Sequence, residues 1–147
     1  MREAQSPFDC VVDASVGIKI FLVAPLSEEA HALFAHLTDA PPARLYVPEL
    51  FFIECANILW KYVRRFGYPA AEAVQDISDL VRLPLRRVPL AALAEAALTV
   101  AVQYGSTAYD SAYVALAQRL GLPLITADEA LARRFAGTEL DVRLLED

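Results

Sequence analysis

The stretch Phe8-Asp9-Cys10-Val11-Val12-Asp13-Ala14-Ser15 most constrains what this chain can become. Bounded by Pro7 and closed by a polar stop, its apolar run reads as a strand buried on both faces, as in a parallel sheet, where alternation disappears. Asp13 follows directly. Ligands of open α/β sheets sit beyond the carboxyl ends of the strands, which is where this acid falls. A structural explanation stands beside that one: Ser15 as the N-cap of a helix from Val16 to Leu22, with Asp13 a turn residue next to it.

The rest of the chain alternates short strands with helices. Pro25-Leu26-Ser27-Glu28-Glu29 opens a helix with Ser27 as cap, ending near Asp39, and Ala40-Pro41-Pro42-Ala43 breaks the chain. Leu45-Tyr46-Val47 is a strand stopped by Pro48. A helix without a breaker runs from Glu49 to about Phe66, where Gly67-Tyr68-Pro69 stops it. A helix over Ala70–Arg82 leads to a weak strand in Leu83–Val88, and an Ala- and Leu-rich helix covers Leu90 to Tyr104. Ser106-Thr107 starts the next, whose Tyr109, Ala112, Tyr113, Leu116 and Leu120 share one apolar face. Leu122–Thr126 is a fourth strand, Asp128–Phe135 a short helix and Val142–Leu144 a last strand. This pattern predicts an α/β fold: a short, mostly parallel central sheet of four to five strands flanked by helices.

Bulk properties set the frame. With 147 residues, 56% of them hydrophobic, the chain is expected to form a single domain over residues 1–147. Neither a membrane-spanning run nor a secretory leader is seen, so a cytoplasmic location is expected. Cys10 and Cys55 read as small buried hydrophobes. A net charge of −6 argues against binding nucleic acid through the whole surface, but leaves room for a local basic groove.

Acids recur where elements end. Glu54 and Asn57 interrupt the apolar coat of the helix from Glu49 and, three apart, share a face. Alternatively Glu54 reaches solvent or pairs with Lys61 or Arg64. Asp110 lies in the first turn of its helix, where Thr107 makes a capping-box spacing. Asp128 follows the fourth strand, where Thr126 and Glu129 also fit a capping box, or Asp128 itself an N-cap. In a parallel sheet Asp13 and Asp128 leave the same edge, and Glu54 and Asp110 can converge there. Two carboxylates about 4 Å apart repel by roughly 4 kcal/mol at an effective dielectric near 20, so such a group calls for a cation. Oxygen donors suit Mg²⁺ or Mn²⁺. His31 and His36, five apart and away from the acids, do not make a zinc site.

Four blocks then carry a resemblance: Val12-Asp13-Ala14-Ser15; Pro48-Glu49-Leu50 with Glu54-Cys55-Ala56-Asn57-Ile58-Leu59; Tyr109-Asp110-Ser111-Ala112-Tyr113-Val114-Ala115-Leu116-Ala117; and Pro123-Leu124-Ile125-Thr126-Ala127-Asp128. In this order and spacing the chain resembles the PIN-domain ribonucleases, and among them the VapC-like toxins of type II toxin-antitoxin pairs. The resemblance implies a PIN-like three-layer fold. It also implies Mg²⁺- or Mn²⁺-dependent cleavage of RNA, homodimerisation, and inhibition by a cognate antitoxin protein. Carried over by position, Asp13, Glu54, Asp110 and Asp128 are the four metal-site and catalytic acids, and Ser15, Asn57 and Thr126 orient them. Lys61, Arg64, Arg65, Arg133 and Arg134 are candidate rim cations for RNA phosphates.

Two other readings compete. A PIN-like fold that only binds RNA or a partner protein would be favoured by loss of acids, and none is lost. A Mg²⁺-dependent phosphotransfer protein, either a receiver or a haloacid-dehalogenase-like phosphatase, also places an acid after its first strand. It lacks support here because Ser15 stands where the phosphatase pattern needs a second Asp, and no late strand-end Lys is present for a receiver.

Overall fold

The computed structural model describes residues 5–146. Its centre is a five-stranded sheet made from β1 (Cys10–Val12), β2 (Leu45–Pro48), β3 (Arg86–Val88), β4 (Leu124–Thr126) and β5 (Val142–Leu144). Every pairing is parallel and the order is β3-β2-β1-β4-β5. The chain therefore builds outward from β1 to one edge, then returns to the other side of β1 to place β4. The gap between β1 and β4 is a topological switch point, where crossovers diverge and leave a crevice at the carboxyl ends.

Burial explains why the strands read as unbroken apolar runs. Val11, Val12, Leu45, Val47 and Leu124 are fully buried, as in any sheet covered on both faces. The start of β1 is pinned by a contact that has no local signature in the sequence. Asp9 is buried, accepts the Arg44 backbone N–H at 2.7 Å on Oδ1, and pairs with the Arg44 guanidinium at 3.1 Å on Oδ2. That contact ties the starts of β1 and β2 together, consistent with the register Cys10 to Leu45.

Seven helices surround the sheet among the described residues: α1 (Ala14–Gly17), α2 (Ser27–Ala35), α3 (Leu50–Phe66), α4 (Ala70–Arg82), α5 (Ala94–Tyr104), α6 (Ala108–Leu120) and α7 (Glu129–Phe135). Most follow the expected bounds, with three corrections. The Val16–Leu22 helix is instead α1 followed by a 3-10 turn over Ile18–Ile20. Ser27 does not cap α2: Leu26 holds the N-cap position, while the Ser27 hydroxyl donates to Leu22 O at 2.6 Å and accepts from Ala24 N–H. The 90–104 helix begins only at Ala94, after a 3-10 turn.

Two helices depart from their expected faces. α3 buries Leu50, Phe51, Cys55 and Leu59 but leaves Ile53 and Trp60 exposed, so it is not coated all round. α6, by contrast, is buried continuously from Ser111 to Ala117, because it lies between the sheet and α5. Of its expected apolar face, Tyr109 alone is exposed, at 65%. Gly121 ends α6 at φ 65°, a left-handed turn that glycine adopts without strain, and sends the chain into β4.

Candidate functional site

Asp13 stands at the carboxyl end of β1, buried at 6% exposure. The β1–β4 register, Val12 against Ile125, sets Thr126 one step on beside it. Ser15 Oγ donates to Asp13 Oδ1 at 2.5 Å and Thr126 Oγ1 donates to Asp13 Oδ2 at 2.6 Å. Both hydroxyls are themselves fixed, accepting from the backbone N–H of Ala127 at 2.9 Å and of Asp128 at 3.0 Å. A buried acid thus has a donor on each oxygen. Burial raises its pKa to about 6, the Ser15 and Thr126 hydrogen bonds hold it back, and the Asp110 charge adds to the rise.

These bonds correct two capping expectations. Asp13, not Ser15, holds the N-cap position of α1, through its backbone carbonyl, which accepts from Val16 and Gly17. Thr126 and Glu129 form no capping box, since Thr126 is still in β4 and gives its hydroxyl sideways to β1. Asp128 caps α7, its Oδ1 accepting from Ala130 N–H at 2.9 Å and Leu131 N–H at 3.2 Å.

Asp110 arrives from α6, whose N-terminus is capped by Thr107 accepting the Asp110 N–H at 3.1 Å. Its pKa is raised by burial and then by Asp128, while Arg134 and Thr107 pull it down. Arg134 is fastened beside it, donating to Gly105 O at 2.8 Å. Glu54, from α3, pairs with neither Lys61 nor Arg64. Its Oε1 accepts from the Tyr113 hydroxyl at 2.5 Å, and the Arg64 guanidinium lies over the Trp60 ring instead, at 5.1 Å. Burial raises the Glu54 pKa, the Tyr113 hydrogen bond opposes that, and Asp110 raises it further.

Asp110 is therefore the electrostatic centre, felt by Asp13 and Glu54 and itself raised by Asp128. Among the described residues no three Asp, Glu, His or Cys side chains are placed to hold one ion between them. The expected convergence is thus a loose one. Each carboxylate is drawn to its own donors and repelled by its neighbours, and Arg134 offsets that repulsion at Asp110.

Glu54 and Asp110 line an open cleft of about 500 Å³ with Ser15, Asn57, Lys61 and Tyr109. Asn57 faces it, exposed, without a hydrogen bond to Glu54. A groove of similar size between α2 and β5, lined by Phe8, Leu33 and His36, contains none of the four acids. The donor set fits a hard divalent cation: carboxylate oxygens whose mutual repulsion such an ion would relieve, and no soft ligand. Cys55 lies below with its thiol pKa pushed up by burial, and its Sγ faces Ala14 O, so it remains protonated. Both cysteines are free. The role of the Tyr113 hydroxyl is hidden in the sequence because a tyrosine at helical spacing among apolar residues looks like core; only the phenol's need for a partner hints otherwise.

Carboxylates around the switch point of a parallel sheet define a class of α/β proteins that work at the carboxyl edge. Comparison with known proteins narrows it. Residues 10–136 match the PIN domain family, described as "PIN domain". The chain is 33% identical over 127 residues to Ribonuclease VapC3 of Pyrobaculum aerophilum, covering 85% of this chain and 93% of that protein. It is 31% identical to Ribonuclease VapC12 of Mycobacterium tuberculosis, covering 84% and 89%. The solved structure of PAE2754 from Pyrobaculum aerophilum superposes with a TM-score of 0.63 at 26% identity, covering 91% of this chain and 82% of that one. The chain belongs to the PIN domain family.

Proposed function

We propose that this protein is a metal-dependent endoribonuclease, the toxin of a toxin-antitoxin pair, acting in the cytoplasm as a single PIN domain. The observation that carries the reading is the buried Asp13, held by two hydroxyls at the switch point and electrostatically coupled to Asp110. Similarity to proteins named Ribonuclease VapC over most of both chains supports the substrate class.

In this reading Asp13 and Asp110 would be the central ligands of Mg²⁺ or Mn²⁺, and Glu54 and Asp128 would complete the set. A bound divalent ion supplies an activated water and neutralises charge on the phosphodiester as it is cut. The chain's own residues do the rest. Ser15 and Thr126 fix both oxygens of Asp13 and keep it from turning away. Asp128 has one oxygen committed to the N-terminus of α7, and among the described residues its other oxygen accepts no hydrogen bond. Asn57 offers a carboxamide to the cleft, and Lys61, on its wall, offers a cation for a phosphate. We assign homodimerisation and an antitoxin partner on family grounds, with the exposed apolar Ile53 and Trp60 of α3 available for such contacts.

The test is cleavage of a mixed RNA pool by purified protein with Mg²⁺, Mn²⁺ or EDTA, beside Asp13→Asn. Metal-dependent cutting that disappears in the variant is expected. No cutting with either metal, together with no Mn²⁺ binding by calorimetry, would favour the non-catalytic binding module.

A further inference from the structure

We propose that Tyr113 is a positioning residue, whose buried phenol holds the Glu54 carboxylate at the metal cleft. The inference rests on the reading of Glu54 as a ligand given above. Tyr113 is 2% exposed, its ring locked between α6 and its neighbours, and its hydroxyl donates to Glu54 Oε1 at 2.5 Å across 59 residues of chain. A phenylalanine would fill that slot with the same apolar area. The oxygen is the part that packing does not explain, and a phenol is buried at little cost only when it finds a partner. Its partner here is a carboxylate that lines the cleft, and a hydroxyl-to-carboxylate bond is among the stronger neutral-to-charged contacts.

Glu54 needs such a hold. Its side chain has three torsions, it sits on the cleft wall, and the Asp110 charge pushes against it. Unrestrained, the carboxylate would turn towards solvent and have to swing back each time a cation binds. The phenol, fixed by a rigid ring, removes that freedom and occupies only Oε1. Among the described residues Oε2 makes no hydrogen bond, so it is left for the cleft. Tyr113 also lies three residues after Asp110, on the same side of α6. One helix thus carries one candidate ligand and, a turn later, the group that orients another from α3.

The experiment is a double-mutant cycle on the full chain: wild type, Y113F, E54Q and the double variant, with Mn²⁺ alone as calorimetric probe and kcat and KM on one RNA substrate. Residues that orient metal ligands are worth about 10- to 100-fold in affinity or activity. Y113F is expected to weaken Mn²⁺ binding about tenfold and to lower kcat with KM for RNA unchanged, since it touches neither RNA nor the ion. In the E54Q background the same change should have no further effect. Any loss of packing is common to both backgrounds, so the cycle reads the coupling even if Y113F melts lower. Y113F with wild-type Mn²⁺ affinity and kcat, or a loss that persists undiminished in E54Q, overturns the proposal. A wild-type protein that neither binds Mn²⁺ nor cuts RNA overturns the underlying reading of the site instead.

Discussion

At the scale of single residues, Asp13 is the most informative. Its native pKa of about 6 lies above the ordinary 3.8 because the folded protein buries the charge. A carboxyl that binds its proton more tightly when folded contributes stability that is complete below 3.8 and is lost as pH rises through about 6. In metal-free buffer the wild-type protein should therefore lose up to about 3 kcal/mol between these limits through this group. Asp13→Asn should flatten that slope and melt higher than wild type at pH 7.5 without metal, then lower than wild type once Mn²⁺ is added; thermal melts at pH 5 and 7.5 check both. Thr126→Val removes a hydrogen bond that favours the ionised form, so the Asp13 pKa should rise further. The resulting loss in Mn²⁺ affinity, about 10- to 100-fold, should be larger at pH 6 than at pH 8, as calorimetry at the two values would show. Ser111 is a different case. Its hydroxyl is buried without a hydrogen-bond partner among the described residues, so Ser111→Ala should be neutral or stabilise by about 1 kcal/mol in urea unfolding.

At the scale of elements, the site depends on how closely α1 approaches α3. Gly17 makes that approach possible: a Cβ there would stand 2.4 Å from the Phe51 ring tip, and Phe51 is fully buried with little room to yield. Gly17→Ala should cost about 1–3 kcal/mol in denaturant unfolding. It should also weaken Mn²⁺ binding, since the same four-residue helix carries Ser15. The elements are legible in the sequence to different degrees. α4 and β5 are readable to the residue because their signals are local: Pro69 before α4, and a short apolar run for β5. α1 is not, because Ser15 reads as a cap until the fold brings Ala127 and Asp13 to its hydroxyl.

At the scale of the whole molecule, a chain of net charge −6 has to attract a polyanion locally. Lys61 is the cation on the cleft wall itself, while Arg64 lies over Trp60 and Arg134 is held at the α5–α6 junction. On a cleavage-dead Asp13→Asn background, Lys61→Gln should weaken single-stranded RNA binding and reduce the slope of log affinity against log salt by about 0.7. Fluorescence anisotropy over a salt series measures it; an unchanged slope would place the phosphate elsewhere.

What the sequence determined by itself was the sheet, the breakers and where acids fall at the ends of elements. Strand burial, helix stops and a carboxylate after an apolar run are local signals, readable from neighbours along the chain. What only the tertiary structure decided was which group each acid meets. The parallel β1–β4 register gives Thr126 to Asp13, and the stacking of α6 on β1 and β2, with α3 following β2, gives Tyr113 to Glu54. Those partners lie 113 and 59 residues apart. No periodicity links them, because a hydrogen bond between distant elements is set by how the layers stack, and that is a property of the whole fold.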